Sequence, residues 1–320
     1  MRILFFVLMI LSIVRVSHAE MQKLPVSQQE KFAKAVQLID EFGGDRGMLE
    51  EAYEILVKIK KAYPKFVPAY HALARYHVNS AMIGTNRFEA DGLVLAMQEL
   101  DAAIEIDSKF VHAFAFKGRV FAYQGDLPSA ITWLKKADAI NPDAPLLNTY
   151  WGDIALSKDQ YNEAITRYQR EINLPTRTRK ATLLAYEGLI KAYRRTNQIA
   201  KVDEYFRKGL EMAPKAAWLH GNYADFLLCE KDDFEKAIVE AKTALEIMSY
   251  QRAKMTLAGA QYRKWAEFVL KEDSDNAAKA LLEANNTISN EIIAVAGAQS
   301  CRSLQKVLEA KSKLAAATRK

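Results

Sequence analysis

The apolar positions of this chain recur with the spacing of packed helix pairs. The clearest copy lies in the segment 125–142, where Ala130 is followed by Leu134, Ala137 and Pro142. Self-similarity at a period of about 34 residues is typical of stacked helix-turn-helix units. The pattern therefore predicts an all-α solenoid of about six helix pairs. Further copies follow the same spacing at Ala52, Leu56, Ile59 and Pro64, at Ala96, Leu100, Ala103 and Ser108, at Ala237, Ala241, Ala244 and Ser249, and more weakly at Val202, Phe206, Gly209 and Pro214.

The second repeat is longer than its neighbours. Ala74 and Ala96 lie 22 residues apart, whereas Gly118 and Ala130, at the corresponding positions, lie 12 apart. The extra residues fall in the segment 80–92, whose Gly, Thr and Asn residues favour turns, so we expect a loop there. Loops of solenoids often carry binding specificity, and a longer connection without function is the alternative.

The first nineteen residues have the pattern of a secretory signal peptide. Arg2 precedes an apolar run over 3–14, and Ser17 and Ala19 supply the small residues of a cleavage site. The run is shorter than the about 20 residues of a transmembrane helix. We predict a signal peptide at 1–19, a flexible leader at 20–27, and an exported protein, periplasmic or secreted, with no stable membrane insertion after cleavage. An uncleaved anchor is the alternative.

The repeat pattern covers 28–250 and weakens beyond Ser249. The segment 251–285 retains a loose copy, and apolar residues in the tail recur at mostly helical spacing. Terminal repeats of solenoids are atypical because they close the core with a polar outer face. We therefore predict a degenerate repeat and C-terminal capping helices over 251–320. A helix that docks on another subunit is the alternative.

Charge and cysteine content narrow the choice of function classes. The formal charge of +6 falls by two when Arg2 and Arg15 leave with the signal. This modest excess favours solubility or an acidic partner over nucleic acid. The two cysteines, Cys229 and Cys301, could pair in an oxidising compartment. We interpret them as two small buried side chains, because two cysteines in a chain of this length are not a disulfide framework.

The sequence contains no recognisable catalytic or metal-binding motif. It lacks HExxH, GxSxG, a glycine-rich phosphate loop and Cys-x-x-Cys. His71 and His77 are six residues apart, so on one helix they point to different faces and cannot share a metal. We therefore predict no catalytic residue, no metal and no cofactor, and that the protein is not an enzyme.

The repeat resembles the tetratricopeptide repeat family over 28–250. It departs from the family pattern in the insertion, in Val202 where alanine is usual, and in Asp225 where a glycine packs the helices. The resemblance implies a right-handed superhelix whose first helices line a concave groove that holds a protein or peptide. Carried over residue by residue, it implies a groove whose candidate binding residues are His71, Arg75, Asn79, Arg119, Tyr123, Lys191, Arg194, Arg195 and Arg263. The same positions also select His112, Thr149, Asp153, Glu187, Asp225 and Tyr262 as lining residues.

The cations in this set suggest how a partner is held. Guanidinium groups suit carboxylates, so one hypothesis is a clamp for an acidic extended peptide, centred on Arg119, Lys191 and Arg194. In the alternative, these cations pair with Asp153, Glu187 and Asp225 across neighbouring repeats and hold the superhelix in shape. The predicted function is an exported protein–protein interaction scaffold. The alternative is a self-assembling structural component of the cell envelope, which would be a homo-oligomer.

Overall fold

The computed structural model describes residues 23–84, 87–288 and 301–317, so the predicted signal peptide at 1–19 lies outside the described residues. Within them, the chain folds into fourteen consecutive helices, one two-stranded hairpin and a separate C-terminal helix. The elements are α1 Val26–Asp40, α2 Arg46–Ala62, α3 Val67–Ser80, β1 Met82–Gly84, β2 Arg87–Phe88, α4 Ala90–Ile106, α5 Val111–Tyr123, α6 Leu127–Ile140, α7 Leu147–Ser157, α8 Tyr161–Asn173, α9 Arg179–Arg195, α10 Ile199–Met212, α11 Ala217–Cys229, α12 Phe234–Ile247, α13 Gln251–Leu270, α14 Ser274–Thr287 and α15 Arg302–Ala317.

The fourteen helices form seven successive pairs, in which the odd-numbered helices are the first helices and the even-numbered ones the second. This confirms the predicted all-α solenoid, with seven helix pairs among the described residues where the sequence predicted about six; α13 and α14 occupy the segment predicted as a loose copy. The alanines that open the repeat spacing are buried: Ala52, Ala96, Ala130 and Ala237 are each 0% exposed. The small-residue spacing therefore identified the contacts between the helices of each pair.

The turns inside the pairs share one backbone geometry. Six of them contain a residue with positive φ, two positions before the first residue of the second helix. Apart from two glycines these are acidic or amide residues, and the short side chains of aspartate and asparagine tolerate that region better than other L-residues do. The residues are Gly44, Gly125, Asp159, Asn197, Asp232 and Glu272.

An aspartate caps the second helix in four of these pairs; Asp45 accepts from the backbone N–H of Gly47, and the other three share one geometry. The side chains of Asp126, Asp233 and Asp273 each accept a hydrogen bond from the backbone N–H three residues further on, at 3.0–3.2 Å. A cap of this kind satisfies one of the free N–H groups of the first turn. The paired acids at 232 and 233 are therefore part of the turn geometry.

The chain consists of two compact units. Unit 1 comprises residues up to Ile154 together with 174–176, and unit 2 comprises 155–173 and 177 onward. In unit 1 the largest apolar cluster extends from Val67 to Ile154, with smaller clusters around α1 and α2. In unit 2 one cluster extends from Ala155 to Ala310.

Two expectations from the sequence were wrong. The segment 80–92 is not only a loop: β1 and β2 pair antiparallel, and Gly92 lies inside α4, packed so closely that a Cβ there would be 2.4 Å from the Cβ of Ala81.

The cysteines are not separate thiols. Cys229 and Cys301 form a disulfide across a sequence separation of 72 residues, because the tail folds back onto the end of α11.

A substitution of Gly188 on α9 tests the close approach of helices in unit 2. A Cβ at this position would lie 2.2 Å from Cζ of Tyr168 on α8, whose side chain is fully buried. We expect Gly188→Ala to lower the free energy of unfolding by about 2 kcal/mol, because overpacking outweighs the gain of about 1 kcal/mol in helix propensity. Urea unfolding measures the change.

The matched control is Gly43→Ala, whose added Cβ would have its nearest neighbour at 3.9 Å. We expect it to change stability by less than about 0.5 kcal/mol. Equal stability of the two variants would contradict the packing argument.

Candidate functional site

Arginines on the first helices form ion pairs with the neighbouring repeat. Arg75 on α3 pairs with Asp40 on α1, and Arg119 on α5 pairs with Asp153 on α7. In unit 2, Arg194 on α9 lies 3.5 Å from a carboxylate oxygen of Asp225 on α11. Each pair joins consecutive first helices, so these arginines connect one repeat to the next.

These pairs match part of the alternative drawn from the sequence, in which the cations pair with carboxylates of neighbouring repeats and hold the superhelix in shape. Arg119–Asp153 and Arg194–Asp225 are present across neighbouring repeats, as that alternative expected. Lys191 instead pairs with Glu187 on its own helix, at 2.6 Å. The charges of Arg75, Arg119 and Arg194 are thus already matched by carboxylates, whereas a clamp requires them to be available to the partner.

The other predicted groove residues differ in accessibility. Asn79 donates a hydrogen bond to the carbonyl oxygen of Ile39, at 3.3 Å. Arg195 is exposed and forms no ion pair or hydrogen bond with any described residue. Arg263 is only 2% exposed, so it is not available to a partner. The role of the predicted residues in partner binding stays a prediction.

A connected row of ring side chains and one guanidinium lies on the first helices of unit 1. We call it the ring row. Two members are buried and five are half-buried. It consists of His112, His71, Phe116, Tyr150, Arg119, Tyr123 and Phe88.

The histidine end of the ring row joins α3 to α5. The ring centroids of His71 and His112 lie 5.8 Å apart, and those of His71 and Phe116 lie 5.5 Å apart, edge to face. Burial, and then the nearby Arg75 guanidinium, lower the pKa of both histidines from the ordinary value of 6.5. Both imidazoles are therefore neutral at pH 7.

The tyrosine end of the ring row surrounds Arg119. Its guanidinium carbon lies 4.8 Å from the ring centroid of Tyr150 and 4.9 Å from that of Tyr123, which are cation–π distances. Arg119 also donates to the Tyr123 hydroxyl, at 2.6 Å. Phe88, from the hairpin, stacks on Tyr123 with ring centroids 4.4 Å apart. The insertion in the second repeat thus contributes a side chain to this surface.

In unit 2 a cleft of about 370 Å³ lies beside Arg195. Leu156 supplies an apolar wall, and Lys191, Arg194 and Asp159 complete the lining. Arg194 is neutralised by Asp225 and Glu230. Arg195 is therefore the lining cation that has no carboxylate partner among the described residues.

Asp232, in the turn between α11 and α12, is the centre of a polar cluster. It accepts hydrogen bonds from the buried Arg263 at 3.0 and 3.1 Å, from Ser303, and from Lys306 at 2.7 Å. Burial alone would raise the pKa of the Asp232 carboxyl, but the bonds from Arg263, Lys306 and Ser303 outweigh it and lower the pKa to about 2. The cluster attaches α15 to the rest of unit 2.

The described residues contain neither a metal site nor a membrane span. No group of three or more His, Cys, Asp or Glu in the described part of the chain is placed to hold a metal ion. None of the described helices is long and apolar enough to span a membrane.

Known structures share this fold. No family model and no curated protein matches the sequence. The chain is similar to the Cut9–Hcn1 hetero-tetramer of the APC/C, with a TM-score of 0.54 and 19% identity over 73% of this chain and 46% of that chain. It is similar to TTC0263, a TPR protein of Thermus thermophilus, with a TM-score of 0.50 and 18% identity over 63% and 99% of the two chains. PilW, a type IV pilus biogenesis factor, gives a TM-score of 0.50 and 14% identity over 76% and 98%.

These similarities identify the class of fold. The chain spans less than half of the Cut9–Hcn1 chain but nearly all of the other two. Consecutive helix pairs with buried small residues, together with these neighbours, show that the chain has the tetratricopeptide repeat fold. The resemblance drawn from the sequence is thereby confirmed.

Sequence reasoning missed several members of the ring row. It selected His71, His112, Arg119 and Tyr123 but not Phe88, which belongs to a hairpin that was expected to be a loop. Phe116 and Tyr150 were missed because both are buried, at 6% and 5% exposure. An apolar ring at a buried helix position is ordinarily part of the packing, so the sequence carries no signal that these two continue the row.

Arg119 and Arg195 give a matched pair of arginines for testing the ion pairs. Arg119→Ala removes an ion pair, a hydrogen bond and two cation–π contacts. We expect it to lower the local free energy of unfolding by about 1–3 kcal/mol. Hydrogen exchange of α5 and α7, followed by mass spectrometry, measures this. Arg195→Ala should change stability by less than about 0.5 kcal/mol, and equal effects would contradict a structural role for Arg119.

The histidines predict opposite pH responses of the two units. In unit 1 the pKa values of His71, His77 and His112 are lowered, so the unfolded chain binds protons first and stability falls as the pH drops below 6.5. In unit 2 the hydrogen bond with Glu240 raises the pKa of His220. The contribution of His220 to the stability of unit 2 is present below pH 6.5 and is lost as the pH rises through the raised pKa of His220.

Hydrogen exchange between about pH 7.5 and 5.5, corrected for intrinsic rates, separates the two responses. We expect protection to fall in α3 and α5 on acidification and to be kept or increased in α11 and α12. His220→Gln should remove the unit 2 response. A change of the same sign in both units of the wild-type chain would refute the assignment.

Proposed function

We propose that this chain is an exported scaffold that binds a partner protein, through an extended segment of that partner, across the ring row of unit 1. The observation that carries the proposal is the continuity of the row over three first helices and the hairpin. Half-buried aromatic side chains next to buried ones give rigid contact area at low entropic cost, and such residues are enriched at binding hot spots. An extended segment contacts successive first helices in turn.

The recognition of this segment is mainly apolar. Arg119 within the row and Arg75 beside it are matched by Asp153 and Asp40. A carboxylate of the partner would have to displace these groups. Stacking on His71, Tyr123 and Phe88 requires no displacement. The exposed Arg195 in the cleft of unit 2 is a separate candidate contact for a carboxylate, independent of the ring row.

Export is part of the proposal. The pattern of residues 1–19 is that of a signal peptide, and the two cysteines of the chain form a disulfide. Disulfides persist in oxidising compartments and are rare in the cytosol of mesophiles. PilW, which shares the fold, is a pilus biogenesis factor, and we propose a comparable setting in the cell envelope for this chain. Catalysis has no place in the proposal.

The test is affinity capture with the full chain from its native host, at low and raised salt. We expect Tyr123→Ala to weaken capture of a specific partner at least about tenfold, because truncated aromatic anchors commonly cost about 2 kcal/mol or more. The loss should be similar at both salt concentrations. The intact mass of the purified chain also tells whether it begins at Glu20.

The matched control is Tyr53→Ala. Tyr53 is an exposed tyrosine of α2 that stacks on Tyr76, outside the ring row. Equal capture by the Tyr123 and Tyr53 variants would refute binding at the ring row. Capture of further copies of this chain alone would favour self-assembly, the alternative drawn from the sequence.

A further inference from the structure

The last first helix extends beyond its neighbour. Ala224 on α11 and Ala258 on α13 are corresponding positions, and both are 0% exposed. From there α11 ends at Cys229, whereas α13 continues to Leu270. The difference of seven residues is about two helical turns. The extension of α13 therefore continues about two turns beyond the end of α11. We call the surface formed by the end of α11 and this extension of α13 the step.

Helix α15 covers this step. It packs mainly against α13 and also contacts α11, both of which are first helices. Its inward face consists of the buried Leu304, Val307 and Ala310, at a spacing of three residues. On its outward face Leu308 is 48% exposed. The helix is thus amphipathic, and its apolar contact is small.

Polar contacts fix both ends of α15. At its start, Ser303 and Lys306 donate to Asp232. Towards its end, Lys313 lies 2.9 Å from a carboxylate oxygen of Glu272, in the turn after α13. The acceptors of the two lysines belong to turns of consecutive repeats. The step therefore presents an apolar strip between two acidic positions, which is complementary to a helix with lysines seven residues apart.

The disulfide is a separate attachment at the same place. Cys301 immediately precedes α15, and Cys229 is the last residue of α11. Isolated helices of about 15 residues are marginal in water, so docking through few apolar side chains benefits from a covalent tether. The tether raises the effective concentration of α15 at the step.

We propose that the end of α11 and the last two turns of α13 form a binding site for a cationic amphipathic helix, and that α15 occupies this site in cis. The ligand class follows from the occupant: apolar residues at positions i, i+3 and i+6 face the strip, and lysines face Asp232 and Glu272. A helix of this pattern from another chain fits the same site once α15 is released. The proposal does not depend on partner binding at the ring row.

The experiment releases α15 and supplies it again as a peptide. The full chain carries Cys229→Ser, Cys301→Ser and Val307→Asp, which remove the tether and place a charge on the buried face of α15. The probe is a fluorescent peptide of residues 302–317, followed by fluorescence anisotropy. We expect this peptide to bind the released chain and not the oxidised wild-type chain, whose site is filled.

Two control peptides make the test specific. Val307→Asp in the peptide should weaken binding at least about tenfold, because the charge would be buried. Leu308→Asp, the same kind of change one residue further on the exposed face, should change binding by less than about threefold. Absence of wild-type peptide binding by a folded released chain, or equal binding of all three peptides, would overturn the proposal.

A second measurement applies where the released chain does not fold. The reduced wild-type chain is mixed with an excess of isotope-labelled peptide, and hydrogen exchange is followed. We expect faster exchange of α15 while α11 to α14 keep their protection. Unchanged protection of α15, or loss of protection in α15 and α13 together, would show that α15 is an inseparable part of the fold and would overturn the proposal.

Discussion

The structure depends on the close approach of helices at positions that hold only small residues. At Gly118 a Cβ would lie 2.8 Å from Cγ of Leu134, and at Gly209 it would lie 2.9 Å from a methyl carbon of Leu219. The larger neighbours occupy the space that the missing side chain leaves, so each pair has one geometry. Because interiors are close-packed, this geometry fixes where the next first helix lies. The ion pairs between repeats and the ring row both follow from it.

The arginines that form ion pairs between consecutive first helices stabilise this geometry at the surface. Arg119 joins α5 to α7 through Asp153 and lies between the rings of Tyr123 and Tyr150. A partly buried arginine held by a carboxylate and two rings has little freedom, and removal of its partner would leave a charge without compensation. The same contacts that connect the repeats therefore hold the tyrosines in place. In unit 1 the packing of the repeats determines the shape of the candidate site.

The sequence predicted the helix pairs well because their contacts are local. Ala130 and Leu134 belong to one helix and recur in the other copies, so a single spacing identified the buried positions. The hairpin of residues 82–88, the Cys229–Cys301 disulfide and the position of α15 depend on contacts between distant residues, which no local pattern encodes. The ion pairs between repeats could be predicted from the sequence in part. Asp153 and Asp40 lie 34 and 35 residues from their arginines, close to one repeat length. Asp225 and Glu230 lie 31 and 36 residues from Arg194, so these contacts also depend on the offset between adjacent helices.

The charges on the first helices are partly neutralised by contacts between repeats. Arg75, Arg119 and Arg194 each face a neighbouring repeat and meet a carboxylate there. A partner that bound Arg119 through its own carboxylate would gain one ion pair and break another, and it would also loosen the contact between α5 and α7. Binding by the half-buried rings of the proposed site would leave these ion pairs in place. The proposed site therefore uses side chains of the same first helices without competing for the carboxylates that connect the repeats.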